Sequence, residues 1–173
     1  MAIIVAVDPG SHFAGVSVWD TELPESQALL AVHPLVANDA PSPVRVWQLF
    51  SAITHIAYEH LWEAKPGNVL VAEHLKGRGV QPAPELDVIC RGLQQWSETW
   101  GFKYVEYKPL QWHRAVMVSG MLPGDKGAIV WAMTARFPQL KGLVNQPGGE
   151  DAIEAAAIGL HHWSQMRLLP GGR

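Results

Sequence analysis

Hydrophobic and polar positions in the first 37 residues predict three β-strands. An apolar, β-branched run over residues 2–8 ends at a Pro-Gly-Ser turn. Apolar residues then alternate with others over 13–20, which predicts a second strand and therefore a hairpin. A further strand over 28–37 would extend the hairpin into a meander.

The remaining sequence alternates helical and strand patterns. Apolar residues recur at three- and four-residue steps over 44–64, which predicts a helix with one face in the core. Strands are predicted at 69–73 and 102–107, and further helices at 85–100, 110–118, 125–137 and 149–167. This order predicts an α/β fold with a five-stranded mixed sheet flanked by helices. The length of 173 residues fits a single domain over 1–173.

Composition narrows the class of protein. No apolar run approaches the ~18 residues needed to span a bilayer, and the N-terminus has no signal-peptide pattern. The single cysteine, Cys90, excludes an internal disulfide and a cysteine metal cluster, and we expect it to be a small buried residue. These features predict a soluble, cytoplasmic protein with no membrane partner.

The charge is unevenly distributed, although its sum is only −3. Residues 1–65 carry two basic side chains against seven acidic ones, whereas residues 103–141 carry six basic against two acidic. Two divalent cations bound to acidic side chains would add four charges and change −3 to +1. A weakly acidic sum therefore does not exclude a nucleic-acid partner, although the basic stretch could equally be an ordinary solvated face.

Four carboxylates form the most informative pattern. Asp8 and Glu73 each end an apolar strand, and strand ends are where α/β folds place ligands. Asp151 and Glu154 are three residues apart on the last helix, so they share a face. Carboxylate oxygens suit Mg²⁺ or Mn²⁺. Two such ions about 3.5–4 Å apart would activate water against a phosphodiester.

Each acid also has a structural interpretation. An aspartate before Pro-Gly, such as Asp8, often initiates a turn, and acids in a first helical turn, such as Asp151, favour the helix dipole. Glu73 is harder to explain structurally, because it follows four apolar residues. The small residues at 155–157 would let the last helix lie close to the sheet. His161, on the same face, is a candidate auxiliary base.

The sequence resembles the RuvC-type Holliday-junction resolvases of bacteria and their phages over residues 2–166. Residues 2–11 (AIIVAVDPGS) resemble the family's opening strand and turn, with Asp8 in the place of its first catalytic aspartate. Residues 69–73 (VLVAE) resemble its second catalytic strand, and residues 151–158 (DAIEAAAI) its Asp-x-x-Asp-Ala-x-Ala-x ending. Other residues at family positions are Arg91, Gly92, Lys108, Pro109, Gly120 and Lys126.

The chain departs from the family at two places. Glu154 stands where the family usually has aspartate, and its side chain is longer by one methylene, so Glu150 is a second candidate for that ligand. After Glu73 some members carry a phenylalanine that wedges into the junction, whereas this chain has His-Leu-Lys, with Leu75 as the nearest apolar candidate.

The resemblance implies a ribonuclease H-like nuclease that cuts Holliday junctions and other branched DNA with two Mg²⁺ ions, or Mn²⁺ in their place. It also implies a homodimer, since two opposed strands must be cut, and apolar positions on the 85–100 helix agree with one. Its branch-migration partner, if it has one, is not identified by the sequence. The expected phosphate contacts are Lys76, Arg78, Lys108, Arg114 and Lys126, and Trp112 is a candidate for stacking on bases.

Two other functions remain open at this point. One is a related nuclease that acts on RNA or unbranched DNA. The other is a non-catalytic module that binds DNA junctions on the same fold.

Overall fold

The computed structural model describes residues 2–10, 12–36, 42–60, 67–74, 84–117 and 125–168. Within these ranges, no helix is long and apolar enough to cross a membrane. The elements in chain order are β1 (Ile3–Asp8), β2 (Phe13–Asp20), α1 (Glu25–Ala28), β3 (Leu29–Val36), α2 (Ser42–His60), β4 (Val69–Glu73), α3 (Pro84–Trp100), β5 (Lys103–Tyr107), α4 (Pro109–Val116), α5 (Lys126–Arg136), a 3-10 helix (Pro138–Leu143) and α6 (Gly149–Leu168).

The five strands form one mixed sheet in the order β3-β2-β1-β4-β5. The β1–β2–β3 meander is antiparallel, whereas β4 pairs in parallel with both β1 and β5. The carboxyl ends of β1 and β4 therefore lie side by side at one edge of the sheet. The α/β class and the mixed five-stranded sheet predicted from the sequence are confirmed.

Helices cover both faces of the sheet. One core contains residues of α4, α5 and α6 packed on Ile4, Ala6 and Val71. The other contains residues of α2 and α3 packed on Val5 and Leu70. The central strands β1 and β4 are therefore buried on both faces, which explains their nearly continuous apolar sequences.

The predicted elements are all present, with small changes at their ends. The helix predicted over 44–64 begins earlier, at Ser42, and is described as far as His60, so its last predicted residues lie outside the described part. Two short elements, α1 and the 3-10 helix, were not predicted. Elements of four and six residues contain too few apolar positions to establish a period.

Cys90 corrects one prediction, because it is partly exposed rather than buried. The core-facing residues of α3 are Ile89 and Leu93, which are 1% and 0% exposed. Cys90 is one residue further around the helix from Ile89, beyond that face.

Candidate active site

The sheet itself brings two carboxylates together. Asp8 ends β1 and Glu73 ends β4, and the parallel pairing of Val7 with Ala72 makes the two acids neighbours at the sheet edge. Asp8 is only 8% exposed. An ionised carboxylate is costly in such a place unless a cation accompanies it.

The last helix is set close to this edge by small residues on β2. A Cβ built on Gly15 would lie 2.0 Å from the carbonyl oxygen of Asp151, so only glycine permits this approach. Two residues further along β2, the Ser17 hydroxyl donates to the carbonyl oxygen of Ala155 at 2.9 Å. Gly159 of α6 packs against the Trp19 indole, and a Cβ built on Gly159 would lie 2.2 Å from the indole nitrogen.

These contacts recur every two residues along β2 and every four residues along α6. Two residues of a strand rise about 6.8 Å and four residues of a helix about 6.0 Å, so β2 and α6 stay in contact over successive turns. Because Gly15 pairs with Asp8 in the hairpin, the first turn of α6 is fixed directly beside the end of β1. Asp151 lies in that turn and Glu154 in the next one.

Three of the four predicted carboxylates form a compact cluster. Asp8, Asp151 and Glu154 each offer an oxygen, and these oxygens lie within 4.8 Å of one another. Glu73 lies beside the cluster. Its charge raises the pKa of Asp8, and the charge of Glu154 raises the pKa of Glu73. Glu150 is exposed and is not a member of the cluster, so the geometry favours Glu154 as the partner of Asp151.

Burial, and after it the charges of neighbouring carboxylates, raise the pKa values of Asp8, Glu73 and Asp151. Burial, and then Glu154 and Glu73, raise the pKa of Asp8 well above its ordinary value. Burial, and then Glu154, raise the pKa of Glu73 to about 7. Burial also raises the pKa of Asp151, against the opposing effect of Lys126. A converging set of oxygen donors that is short of positive charge fits a hard divalent cation.

Lys126, predicted as a phosphate contact, lies at this cluster. Its Nζ is 3.0 Å from Glu154 Oε2 and 4.0 Å from Asp151 Oδ1. Burial alone would lower the pKa of Lys126, but Glu154, Asp8 and Asp151 outweigh it and raise the pKa. The side chain remains 58% exposed, so the ammonium sits at the mouth of the site.

The other predicted phosphate contacts are less closely tied to the site. Lys108 and Arg114 are exposed at the two ends of α4, and α4 packs against α6. Lys76, Arg78 and the apolar Leu75 lie outside the described residues.

His161 does not lie at the carboxylates. It is seven residues after Glu154 on α6, which places it about 10 Å further along the axis. Its ring packs edge-on against Tyr107 with centroids 4.5 Å apart, and burial lowers its pKa. The neighbouring His162 accepts or donates a hydrogen bond with the Tyr107 hydroxyl at 2.7 Å.

Trp112 corrects another prediction, because it is fully buried and offers no surface for base stacking. It lies in the core beneath the site, with its indole beside Glu73. The next residue, His113, is also buried. Burial lowers the pKa of His113; Glu154 opposes this effect, and Lys126 adds to it.

Sequence reasoning missed Gly15 and His113. A glycine inside a strand is a signal of close backbone approach, and that signal was available for Gly15. His113 had no comparable signal, because its position beside the carboxylates depends on how α4 packs.

The metal-free protein should lose stability as pH rises from about 5 to 8. The pKa of Glu73 is 4.5 in an unfolded chain and about 7 in the folded protein, so folding favours the protonated form. Ionising Glu73 in the folded protein therefore lowers the free energy of unfolding. This loss of stability is absent below pH 4.5, grows between the two pKa values, and is complete above about pH 7. A shift of this size corresponds to about 3 kcal/mol.

Urea denaturation in EDTA across this range would measure the effect. Glu73→Gln is the control, since the difference between the two proteins removes contributions from other groups. One of these groups is His162. Burial lowers the pKa of His162 from 6.5 to about 4, so this residue adds stability as pH rises from 4 to 6.5. Equal pH dependence in the wild type and Glu73→Gln would contradict the prediction.

Comparison with solved structures identifies similar folds. Thermus thermophilus RuvC matches with a TM-score of 0.68 and 17% identity, over 95% of this chain and 96% of that chain. The same protein in complex with a Holliday junction substrate matches with a TM-score of 0.65 and 16% identity, over 96% of each chain. The fowlpox virus Holliday junction resolvase matches with a TM-score of 0.60 and 12% identity, over 95% of this chain and 99% of that chain.

Sequence comparison alone finds no such relation. No family model matches the chain, and no curated protein matches it. The fold-level resemblance predicted from short motifs is nevertheless confirmed by structures that cover nearly the whole chain. The chain has the fold of the RuvC-type and poxvirus Holliday junction resolvases.

Proposed function

We propose that this chain is a member of the RuvC-type resolvases and a metal-dependent endonuclease that resolves Holliday junctions and other branched DNA. The observation that carries the proposal is the convergence of Asp8, Asp151 and Glu154 within 4.8 Å, beside Glu73, on the resolvase fold. The single cysteine agrees with action in a reducing compartment such as the cytoplasm.

The four carboxylates would hold two Mg²⁺ ions, with Mn²⁺ as a substitute. When bound, such ions supply a nucleophilic water and stabilise the leaving oxygen of a phosphodiester. The chain's own contribution is to fix the ligands on two strand ends and one helix, which are rigid elements. Lys126 balances the charge of Glu154 and presents its ammonium at the mouth, where a DNA phosphate would approach.

A substrate comparison tests this function. We expect Mg²⁺-dependent cleavage of a four-way junction at least about 100-fold faster than of duplex DNA, a flap or an RNA–DNA hybrid, and no cleavage in EDTA. Preference for the hybrid or the duplex would instead indicate a nuclease for RNA or unbranched DNA. Junction binding without cleavage in either Mg²⁺ or Mn²⁺ would indicate a non-catalytic module.

The DNA-binding surface should include the exposed basic residues of α4. Replacing Lys108 and Arg114 together with alanine should weaken junction binding for all sequences. Each lost phosphate contact should also flatten the slope of log affinity against log salt by about 0.9. Binding titrations from 50 to 200 mM salt would measure it.

The matched control is Lys103→Ala. Lys103 is also exposed, but it begins β5 and therefore lies at the opposite end of that strand from α4. Its removal should leave the slope unchanged. An unchanged slope in the double variant would exclude α4 from the interface.

A homodimer is part of the proposal, because symmetrical resolution needs two sites. The surface predicted for it on α3 is smaller than expected: Leu93 is buried, and Trp96 packs on Phe102 with centroids 5.1 Å apart. The adjacent helix α2 exposes more apolar area, with Trp47 68% and Tyr58 53% exposed. We therefore assign the dimer face to α2, and light scattering in solution measures the dimer directly.

A further inference from the structure

A buried indole N–H beneath the site has no partner in the described part of the protein. Trp112 is 0% exposed, and its Nε1 makes no hydrogen bond with a described residue. Buried tryptophan normally finds an acceptor, because an unsatisfied donor in the core costs free energy. Phenylalanine would fill most of the same space without that cost, so packing alone does not explain a tryptophan here.

The chain geometry directs this donor towards one metal-site residue. Glu73 pairs with Tyr107 across the β4–β5 ladder, and the backbone N–H of His74 donates to the Tyr107 carbonyl at 2.8 Å. Helix α4 begins two residues after Tyr107, and Trp112 lies on its buried side. The Trp112 indole N–H and the Glu73 carboxylate fall outside ordinary hydrogen-bond geometry, yet the indole is placed to lower the pKa of Glu73 against the larger effect of burial.

We propose that Trp112 is a positioning residue, whose indole N–H orients the Glu73 carboxylate for the divalent cation. The inference rests on the proposed function, since it assigns Glu73 to the metal site. It goes beyond that function by adding a donor that contacts neither metal nor DNA. Groups that bind the far side of a ligand carboxylate fix its direction, and their loss typically weakens metal binding by about 10- to 100-fold.

The test measures Mn²⁺ affinity by titration calorimetry. Trp112→Phe removes the N–H and should weaken Mn²⁺ binding about 10-fold. Trp96→Phe is the control: Trp96 packs against the core on the other face of the sheet, away from α6, and its N–H donates to Thr54 at 3.0 Å. It should change Mn²⁺ affinity less than twofold.

A double-mutant comparison separates positioning from a general packing effect. In a Glu73→Gln background, Trp112→Phe should cause no further loss of Mn²⁺ affinity. Replacement of Trp112 by 3-benzothienylalanine, which keeps the ring and removes only the N–H, should reproduce the loss and serves if the phenylalanine variant folds poorly. Equal losses in Trp112→Phe and Trp96→Phe, or an undiminished loss in the Glu73→Gln background, would overturn the proposal.

These results are independent of the proposed activity. Weaker Mn²⁺ binding in Trp112→Phe would support the positioning role even if the protein cut no junction, in which case the resolvase function alone would fail. Normal Mn²⁺ binding in Trp112→Phe, with junction cleavage intact in the wild type, would overturn the role of Trp112 alone.

Discussion

Asp8→Asn should reduce metal-dependent cleavage about 1000-fold or more, and it should also make the metal-free protein more stable than the wild type. Under the proposed function Asp8 binds metal, so the substitution removes a ligand worth several kcal/mol of transition-state stabilisation, and each 1.4 kcal/mol corresponds to a factor of ten. The stability rises because Asp8 is buried beside Glu154 and Glu73, whose charges oppose its ionisation. Asparagine keeps the shape and removes that repulsion.

Junction cleavage and thermal unfolding in EDTA at pH 8 would measure the two effects. One kcal/mol corresponds to about 2–4 °C in a chain of this size. Glu150→Gln is the matched control, since Glu150 lies in the same first turn of α6 as Asp151 but is exposed and outside the cluster. A variant that lost both activity and stability would show that Asp8 holds the fold together rather than a metal.

Gly15→Ala should remove activity without changing any ligand. The new methyl group would lie 2.0 Å from the Asp151 carbonyl oxygen and 2.4 Å from the Ala152 nitrogen. These are backbone atoms, so the first turn of α6 must move away from the sheet. A displacement of about 1 Å at a reacting group can cost about 100-fold in rate, and overpacking of this kind costs about 1–3 kcal/mol.

Cleavage rate, Mn²⁺ affinity and urea denaturation should all change in Gly15→Ala. Gly142→Ala is the control, because a Cβ there meets nothing within 4 Å, and it should leave all three measurements unchanged. If Gly15→Ala kept Mn²⁺ affinity within twofold of the wild type, the close approach of α6 to β2 would not be what sets the site.

The sequence predicted those parts of the fold that local pattern determines. The apolar runs that end at Asp8 and Glu73 predicted both strands, because strands buried on both faces must be apolar throughout. Two such strands, each ending in an acid, were enough to anticipate that these carboxylates lie together at the sheet edge. The three-residue spacing of Asp151 and Glu154 supplied the rest of the cluster.

Features that depend on packing between distant segments could not be predicted. The basic residues around Trp112 favoured a surface position for this aromatic side chain. In the structure, α4 packs with Trp112 on its buried side, in the core. Lys126 looked like a simple phosphate contact, and its position 3.0 Å from Glu154 depends on how α5 docks against α6. Neither result follows from residues close in sequence.

The positions of the four carboxylates along the chain have a consequence for the order in which the site is assembled. Asp8 and Glu73 are in place once the sheet forms, but Asp151 and Glu154 belong to α6, the last described helix to leave the ribosome. A nascent or truncated chain without α6 would have only two of the four carboxylates. Under the proposed function, such a chain would bind the divalent cations weakly and would not cut DNA until α6 had packed on the sheet.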